Sequence, residues 1–151
     1  MSRSDIRTAI YGDLLGRQDM LAALGPIMPN NQRIYAAFPQ TVPSLSGNNA
    51  SEGWIIFYEE QAVILGDTIE EISFFDFHVW ATTMTIGETA IDILDNLYHW
   101  RIAGQNSRVI GAYNVVDSRR VHCLESYDQQ VKLYRKIGRY QFRLVKTPFS
   151  P

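Results

Sequence analysis

The sequence predicts an α+β fold with a mostly antiparallel sheet, one main helix packed across it and two short N-terminal helices. Apolar residues recur every three to four positions near the N-terminus and again over residues 85–97, as in amphipathic helices. Aromatic and β-branched segments, several with period two, make up most of the remaining chain. These strands follow one another in runs, which favours hairpin connections and antiparallel pairing.

Two helices are predicted before residue 26. Ser4 is a suitable N-cap for a helix over residues 4–16, which has apolar residues on one face and Gly16 at its end. Asp19 can cap a shorter second helix, which Gly25 and the proline after it terminate.

The first half of the sheet is predicted between residues 33 and 81. Arg33-Ile34-Tyr35 is a brief extended segment, and Trp54–Tyr58 is a strand rich in aromatic and β-branched residues. Gly66-Asp67 supplies a turn signal between two strands. The second of these strands, Ile69–Ala81, alternates, so that one face is core and the other mixes aromatic and polar side chains, namely Phe74, Asp76, His78 and Trp80.

The main helix and the second half of the sheet follow. Thr83 or Thr85 can cap a helix that runs to about Trp100, with an apolar stripe on one side and carboxylates on the other. Strands are predicted over Val109–Asp117, interrupted at Gly111, and over Val131–Lys146. Arg119–Glu125 is either a further strand or a bulged continuation of the first.

Composition and charge fit one domain spanning residues 1–151. Hydrophobic residues make up 46% and charged residues 20%, as in ordinary soluble globular proteins. The net charge of −2 does not favour electrostatic capture of nucleic acid. Cys123 is the only cysteine, which excludes an intramolecular disulfide and a cysteine-based metal site. We expect no signal peptide and no membrane span, because the N-terminus is polar and the apolar runs are short.

Few residues fall in a catalytic or ligand-binding pattern. The sequence has no glycine-rich phosphate loop, and its histidines lack the spacing of a zinc site. Asp76 and His78 share a strand face and could form a base with its orienting carboxylate, but no nucleophile accompanies them. The alternative is a hydrogen-bonded pair at a wet sheet face or subunit contact. We therefore predict a non-enzymatic protein with no cofactor and no metal.

Two groups of residues are predicted to form subunit interfaces. Val63, Ile64 and Leu65 lie beside the hairpin turn, where they would be exposed in a monomer unless the hairpin folds back on the core. Phe74 and Trp80 share a face with polar residues, a mixture that suits the core of an interface. The alternative for that face is a second buried layer under the N-terminal helices.

Positive charge is concentrated in the C-terminal third of the chain, and we take four of its residues as candidate partner contacts: Arg119, Arg120, Arg139 and Arg143. Such residues form either a solvated sheet face or a contact with an acidic partner surface.

Over residues 5–100, the order and spacing of elements resemble the tail completion, or tail terminator, proteins of long-tailed phages and gene transfer agents. The segment Asp19–Gly25 resembles that family's turn of an acidic residue, apolar residues and Leu-Gly. Around it lie the other parts of the pattern: helix Asp5–Leu15, Arg33-Ile34-Tyr35 with a downstream proline, strands Trp54–Tyr58 and Phe75–Trp80, and helix Thr85–Leu97. No single motif is diagnostic.

The resemblance implies a non-enzymatic virion protein in the neck region of the tail, assembled in the host cytoplasm. Members of this family form a homohexameric ring on the head-proximal end of the tail tube, stop tube polymerisation and offer a docking surface to the head connector. The implied partners are copies of the chain, the tube protein and connector or stopper proteins. DNA would pass through the ring without being read, and no membrane is involved.

Two other functions fit the same residues. A head-side neck or head-completion protein, acting as adaptor or stopper, would bind the portal ring or its adaptor instead of the tube protein. A small ligand-binding or hydrolytic α+β domain would use Asp76, His78 and Trp80 in a deep pocket.

Overall fold

The computed structural model describes residues 4–25, 33–36, 52–65, 70–102 and 104–146. Three helices lie within these ranges, namely α1 (Ser4–Leu15), α2 (Gln18–Leu24) and α3 (Met84–Tyr98). The strands are β1 (Ile34–Tyr35), β2 (Gly53–Leu65), β3 (Glu70–Ala81), β4 (Arg108–Ile110), β5 (Tyr113–Asp128) and β6 (Leu133–Lys146). No helix in this described part is long and apolar enough to span a membrane.

The strands form one mixed sheet in the order β1-β2-β3-β6-β5-β4. β1 runs parallel to β2, whereas every other neighbouring pair of strands is antiparallel. The prediction of a mostly antiparallel sheet is therefore confirmed. β6 pairs with both β3 and β5, so it joins the β2–β3 hairpin to β5.

The C-terminal strands differ from their predicted bounds at one glycine. Gly111 has a φ of 59°, a left-handed conformation that glycine adopts without steric cost, and it turns the chain between β4 and β5. The predicted strand Val109–Asp117 is thus divided by a hairpin turn. The Arg119–Glu125 segment belongs to β5, which is continuous through register shifts at Val115/Asp117 and at Arg120/His122. Of the two alternatives, the bulged strand is the one observed.

All three helices contribute apolar residues to the core on one face of the sheet. α3 begins where Thr83 Oγ1 accepts a hydrogen bond from the Ile86 amide at 3.4 Å, so Thr83 is its N-cap. Its buried residues pack with those of α1 and α2, which include Ile10, Leu14 and Leu24. Helical cover is therefore divided among three helices, and the prediction of a single main helix across the sheet is not confirmed.

Aromatic rings fill the centre of the core. Phe77 of β3 stacks on Phe57 of β2 at a centroid distance of 5.4 Å and meets Tyr140 of β6 edge to face at 5.3 Å. The hydroxyl of Tyr98 donates to Asp13, and that of Tyr140 donates to Asp95, each at 2.7 Å. The buried tyrosines therefore keep their polar ends paired while their rings pack. Burial, followed by these carboxylates, raises the pKa of both hydroxyls.

Candidate interaction surfaces

The face of the sheet away from the helices, here called the outer face, carries the predicted mixed residues of β3. The alternating β3 residues that point the other way, Phe75, Phe77, Val79 and Ala81, are buried in the core, which confirms the predicted core face. On the outer face, Asp76 and His78 are buried, whereas Phe74 and Trp80 are half-buried. The core contains residues from α1 and α2, so the N-terminal helices do not form a second layer over this outer face.

His78 is packed between an aromatic ring and a charged pair. Its Nε2 lies 3.0 Å from the hydroxyl of Tyr58, and the two rings stack with centroids 5.4 Å apart. Burial lowers the pKa of His78, and Arg135 lowers it further, while Asp76 opposes the shift. Burial, followed by the charge of Asp76, raises the pKa of Tyr58. The neutral forms of both side chains are therefore favoured.

Asp76 is held by Arg139 of β6, its cross-strand neighbour. Arg139 Nε donates to Oδ1 of Asp76 at 2.8 Å, and Nη2 donates to Oδ2 at 3.1 Å. This two-point contact raises the pKa of Arg139 and satisfies a carboxylate that is almost fully buried. The structure brings Asp76 and His78 to the same face, but each is engaged by a different partner. Asp76 is bound by Arg139 and His78 by Tyr58, so both side chains are held by residues of neighbouring strands.

The aromatic residues proposed for an interface are partly covered by arginines. The Arg135 guanidinium lies over the ring of Trp80, 5.0 Å from its centroid. Trp54, the cross-strand partner of Trp80, is buried, and Arg33 lies over its ring at 5.3 Å. Trp80 and Phe74 retain exposed surface, whereas Trp54 has almost none to offer a partner.

Arg33 and Glu52 form a buried ion pair at the start of the sheet. Nη2 of Arg33 donates to Oε2 of Glu52 at 2.7 Å, and both side chains are almost fully buried. The backbone is fixed as well, because the Ile55 amide donates to the Arg33 carbonyl at 2.8 Å. Among the described residues, Nε and Nη1 of Arg33 have no hydrogen-bond partner. Glu52 and the Trp54 ring thus stabilise this charge.

The four predicted contact arginines all have carboxylate partners within the chain. Arg139 binds Asp76, Arg143 binds Glu70, Arg119 binds Asp117 and Arg120 binds Asp95. Arg120 is on the helix side of the sheet, because Asp95 belongs to α3. The other three lie on the outer face, where their charges are compensated locally. The arrangement agrees with a solvated sheet face carrying surface ion pairs.

The predicted interface segment Val63–Leu65 is the last part of β2. Its backbone pairs with β3, in the register Val63 to Ile72, Ile64 to Glu71 and Leu65 to Glu70. Its side chains and the turn at Gly66-Asp67 lie outside the described residues. The strand pairing extends the predicted hairpin, and the interface role of this segment stays a prediction.

Four exposed apolar residues that the sequence analysis did not single out lie on the β5–β6 hairpin: Val121, Leu124, Tyr127 and Val131. Tyr127 packs edge to face on Tyr134 at 4.8 Å, which fixes one side of the hairpin. Asp128 Oδ1 accepts from the amides of Gln130 and Val131, which shapes the turn. The pairing with β6 places Leu124 and Tyr127 on opposite faces of the sheet.

The two most exposed large apolar residues of the described chain are Ile102, 72% exposed, and Val109 of β4, 63% exposed. Val109 is paired with Asn114 near the start of β5, and Arg108 beside it is anchored to Asp13 of α1 by two hydrogen bonds. The strand is therefore fixed in place while its apolar side chain faces solvent.

Within the described ranges, no group of three or more His, Cys, Asp or Glu side chains could hold a metal ion. The histidines of this part have other contacts: Nδ1 of His99, for example, accepts from the Arg120 amide at 2.9 Å.

Comparison with known proteins shows a similarity of fold and no match of sequence. The sequence matches no protein-family profile, and no characterised protein matches it at a significant level. The fold is similar to that of a chain in the virion of a native gene transfer agent particle, with a TM-score of 0.64 and 14% sequence identity. The similarity covers 92% of this chain and 93% of that one. This chain therefore has the same fold as a component of that particle over nearly its whole length.

Proposed function

We propose that the chain is a structural protein of a phage-like particle that forms a ring on the head-proximal end of the tail tube and ends tube polymerisation. Its partners are copies of itself, the tube protein and the head connector or stopper proteins. The ring belongs to the neck region of the virion tail, and DNA passes through it without sequence-specific contact. In this role, residues 1–151 act as one domain without enzymatic activity, cofactor or metal.

The observation that carries this proposal is the shared fold with a chain of the gene transfer agent virion, which extends over nearly the full length of both chains. At 14% identity the likeness concerns the fold. The proposed role has a second support. The order of elements in the sequence resembles that of the tail terminator proteins, and it agrees with this fold.

The surfaces of the chain also suit an assembly protein. The described part of the chain exposes apolar side chains on the β5–β6 hairpin and at Ile102 and Val109, and apolar surface left exposed on a folded domain often belongs to a partner site. Subunits of a closed ring meet through two different surfaces, which such separate regions can supply. The buried polar groups of the outer face are instead engaged with one another, as in Asp76 with Arg139 and His78 with Tyr58.

The test uses the purified chain and the tail tube protein of the same particle, polymerised in vitro. Adding the chain before polymerisation is expected to shorten the tubes, and electron micrographs should show a ring at one tube end. Binding to the portal ring or its adaptor, with tube lengths unchanged, would instead assign the chain to the head side of the joint. Unchanged tubes with no binding to either partner would overturn the proposal.

The predicted contact residues enter this proposal as follows. Val63, Ile64 and Leu65 are proposed ring contacts, together with the exposed parts of Phe74 and Trp80. The combined change Ile64→Asp and Leu65→Asp is expected to yield monomers, and an unchanged ring would remove this segment from the interface. Arg119 and Arg143, whose side chains are about half exposed, are the better partner contacts among the four arginines.

A further inference from the structure

We propose that Trp80 and Arg135 form a docking site on the outer face for an acidic segment of another protein. A carboxylate of that segment binds the guanidinium of Arg135, and an apolar group beside the carboxylate packs on the ring of Trp80. This inference rests on the proposed function, because it gives the chemistry that the tube protein or a connector protein presents to the chain. It does not involve the Val63–Leu65 segment.

Four residues form a continuous row across the outer face, from the β1 side of the sheet to β6. Arg33 lies over the ring of Trp54, which is the cross-strand partner of Trp80. Trp80 is paired in turn with Arg135 of β6, whose guanidinium lies over its ring. Arg33 and Trp54 are only 1% and 2% exposed, whereas Trp80 and Arg135 are half-buried. The row is therefore enclosed at its β1 end and accessible at its β6 end.

The row has more hydrogen-bond donors than acceptors. Within the described ranges, the buried side-chain nitrogens and oxygens that lack a hydrogen-bond partner are Nε and Nη1 of Arg33, Nε1 of Trp54 and Nε of Arg135. All four are N–H donors, and neither arginine nor tryptophan has a side-chain acceptor. Buried donors are normally paired in folded proteins, so a group of unpaired ones in a single row needs an explanation. An acceptor supplied from outside the chain is the explanation that the accessible end of the row allows.

Arg135 differs from the other arginines of the outer face in having no carboxylate partner. Arg119, Arg139 and Arg143 each bind a carboxylate of the chain. Arg135 forms no ion pair with any described residue, and its guanidinium is held over Trp80. An arginine stacked on an aromatic ring has its plane fixed, so its two Nη groups can meet both oxygens of a carboxylate. The uncompensated charge of Arg135 therefore matches a carboxylate ligand.

The surroundings of this site favour a protein partner over nucleic acid. Binding to a phosphate backbone requires several uncompensated cations along one surface, and the neighbouring arginines of the outer face are already paired. Tryptophan and arginine are the side chains that most often dominate the binding energy of protein interfaces. Two copies that met through this same site would oppose two Arg135 cations, which disfavours a symmetric contact between copies. An acidic segment of a different protein is the partner that fits.

Binding measurements with the purified tube protein, and with the purified connector and stopper proteins, test the site. Arg135→Gln is expected to weaken binding to one of these proteins by about tenfold or more, because a two-point charged contact is lost. Arg119→Gln is the matched control, because Arg119 is on the same face and is compensated by Asp117. It is expected to change the affinity by less than about twofold. Equal effects of the two variants would overturn the proposal.

A second variant keeps the test valid if Arg135→Gln disturbs the fold. Arg135→Lys retains a cation beside Trp80 but not the planar fork that meets a carboxylate at two points. It is expected to weaken binding by about threefold or more while its circular dichroism spectrum stays that of the wild type. Wild-type affinity in Arg135→Lys would overturn the two-point contact.

Charge reversal identifies the bound carboxylate. Arg135→Glu is expected to weaken binding more than Arg135→Gln does, because it opposes two negative charges. Replacing one exposed Asp or Glu of the partner by Arg should then restore binding to the Arg135→Glu chain. If no such replacement restores it, the proposed pairing is wrong.

Two measurements distinguish the other possible occupants. Light scattering is expected to give the same oligomer for Arg135→Gln as for the wild type, and loss of the oligomer would overturn the proposal in favour of a neighbouring copy at this site. The affinity for double-stranded DNA is expected to be the same in both chains. A DNA affinity that falls in Arg135→Gln would overturn the proposal in favour of a phosphate ligand.

The tube-length assay separates failure of this inference from failure of the proposed function. Wild-type chain that shortens the tubes, with partner binding unaffected by Arg135→Gln, would overturn the docking site and leave the proposed function standing. Partner binding that depends on Arg135, with no effect on tube length, would leave the docking site standing and overturn the proposed function. A chain that binds none of these proteins would overturn both proposals.

Discussion

The Tyr58 hydroxyl and Nε2 of His78 lie 3.0 Å apart across neighbouring strands, and the rings of these two residues stack on one another. The charged groups that act on His78 are Arg135 on β6, Asp76 on the same strand and Glu60 on β2. Burial of His78 and the charge of Arg135 outweigh the two carboxylates, so the pKa of His78 is lowered. The arrangement favours neutral imidazole and makes the outer face sensitive to acid.

The first prediction concerns pH. The folded-state pKa of His78 is lowered, chiefly by burial, so the unfolded chain binds this proton more readily. The stability associated with neutral His78 is full above the unfolded pKa of about 6.5 and is lost as pH falls through that value toward the folded one. Urea unfolding between about pH 8 and pH 5 should show a smaller acid loss in His78→Gln than in wild type. His122→Gln, at an exposed position, is the matched control. Equal acid losses in wild type and His78→Gln would contradict this role.

A second prediction compares two arginines of the outer face. Arg139→Gln leaves the almost buried Asp76 carboxylate without its two hydrogen bonds, which should cost about 1–3 kcal/mol of unfolding free energy. Arg119→Gln removes a more exposed pair with Asp117 and should cost about 0–1 kcal/mol. Denaturant unfolding of the two variants at neutral pH provides the comparison. Equal costs would mean that burial of Asp76 does not govern the energetics of this face.

The buried pair of Arg33 and Glu52 gives the third prediction. Arg33→Met breaks a buried ion pair and should destabilise the fold by about 3–5 kcal/mol. Adding Glu52→Gln to that variant should recover part of the loss, because the buried negative charge is removed. A double-mutant cycle followed by urea unfolding measures the coupling. Simple additivity of the two single changes would show that the pair is not coupled.

Two glycines give opposite expectations in the fourth prediction. A Cβ at Gly138 would lie 2.8 Å from the Tyr140 ring and 3.1 Å from Ile91 of α3, and that ring is held by its hydrogen bond to Asp95. Gly138→Ala should therefore destabilise the fold by about 1–3 kcal/mol. Gly12 in α1 has open space around it, so Gly12→Ala should stabilise the chain by about 0.5–1 kcal/mol. Thermal unfolding of both variants measures these effects. A neutral Gly138→Ala would contradict the close contact between helix and sheet at this position.

Much of the fold follows from local sequence rules. The cap at Thr83 and the apolar stripe define α3, and the alternation from Phe75 onward identifies the core face of β3 correctly. These signals depend on neighbours a few residues away, which the sequence displays directly. The turn at Gly111 and the bulges of β5 break the period of two. The bounds of the C-terminal strands, and the sheet face on which each of their residues lies, were therefore harder to predict from the sequence.

The candidate surfaces were harder to predict because their partners are distant in sequence. Asp76 and His78 were correctly placed on one face, but Asp76 is bound by Arg139, 63 positions away, and His78 by Tyr58, 20 positions away. The exposed apolar residues of the β5–β6 hairpin were missed because whether Leu124 faces solvent depends on what covers β5. No local pattern in the sequence encodes the absence of a covering element.

The position of β6 has a consequence for biosynthesis. β6 is the last of the described strands in sequence order, yet it lies between β3 and β5 and is the only described strand that links the two halves of the sheet. While the ribosome is still translating the segment before Leu133, the nascent polypeptide holds two unjoined halves with open edges. Premature termination there would release fragments with exposed strand edges, a known cause of aggregation. Among the described strands, the one translated last is thus the one that joins the two halves of the sheet.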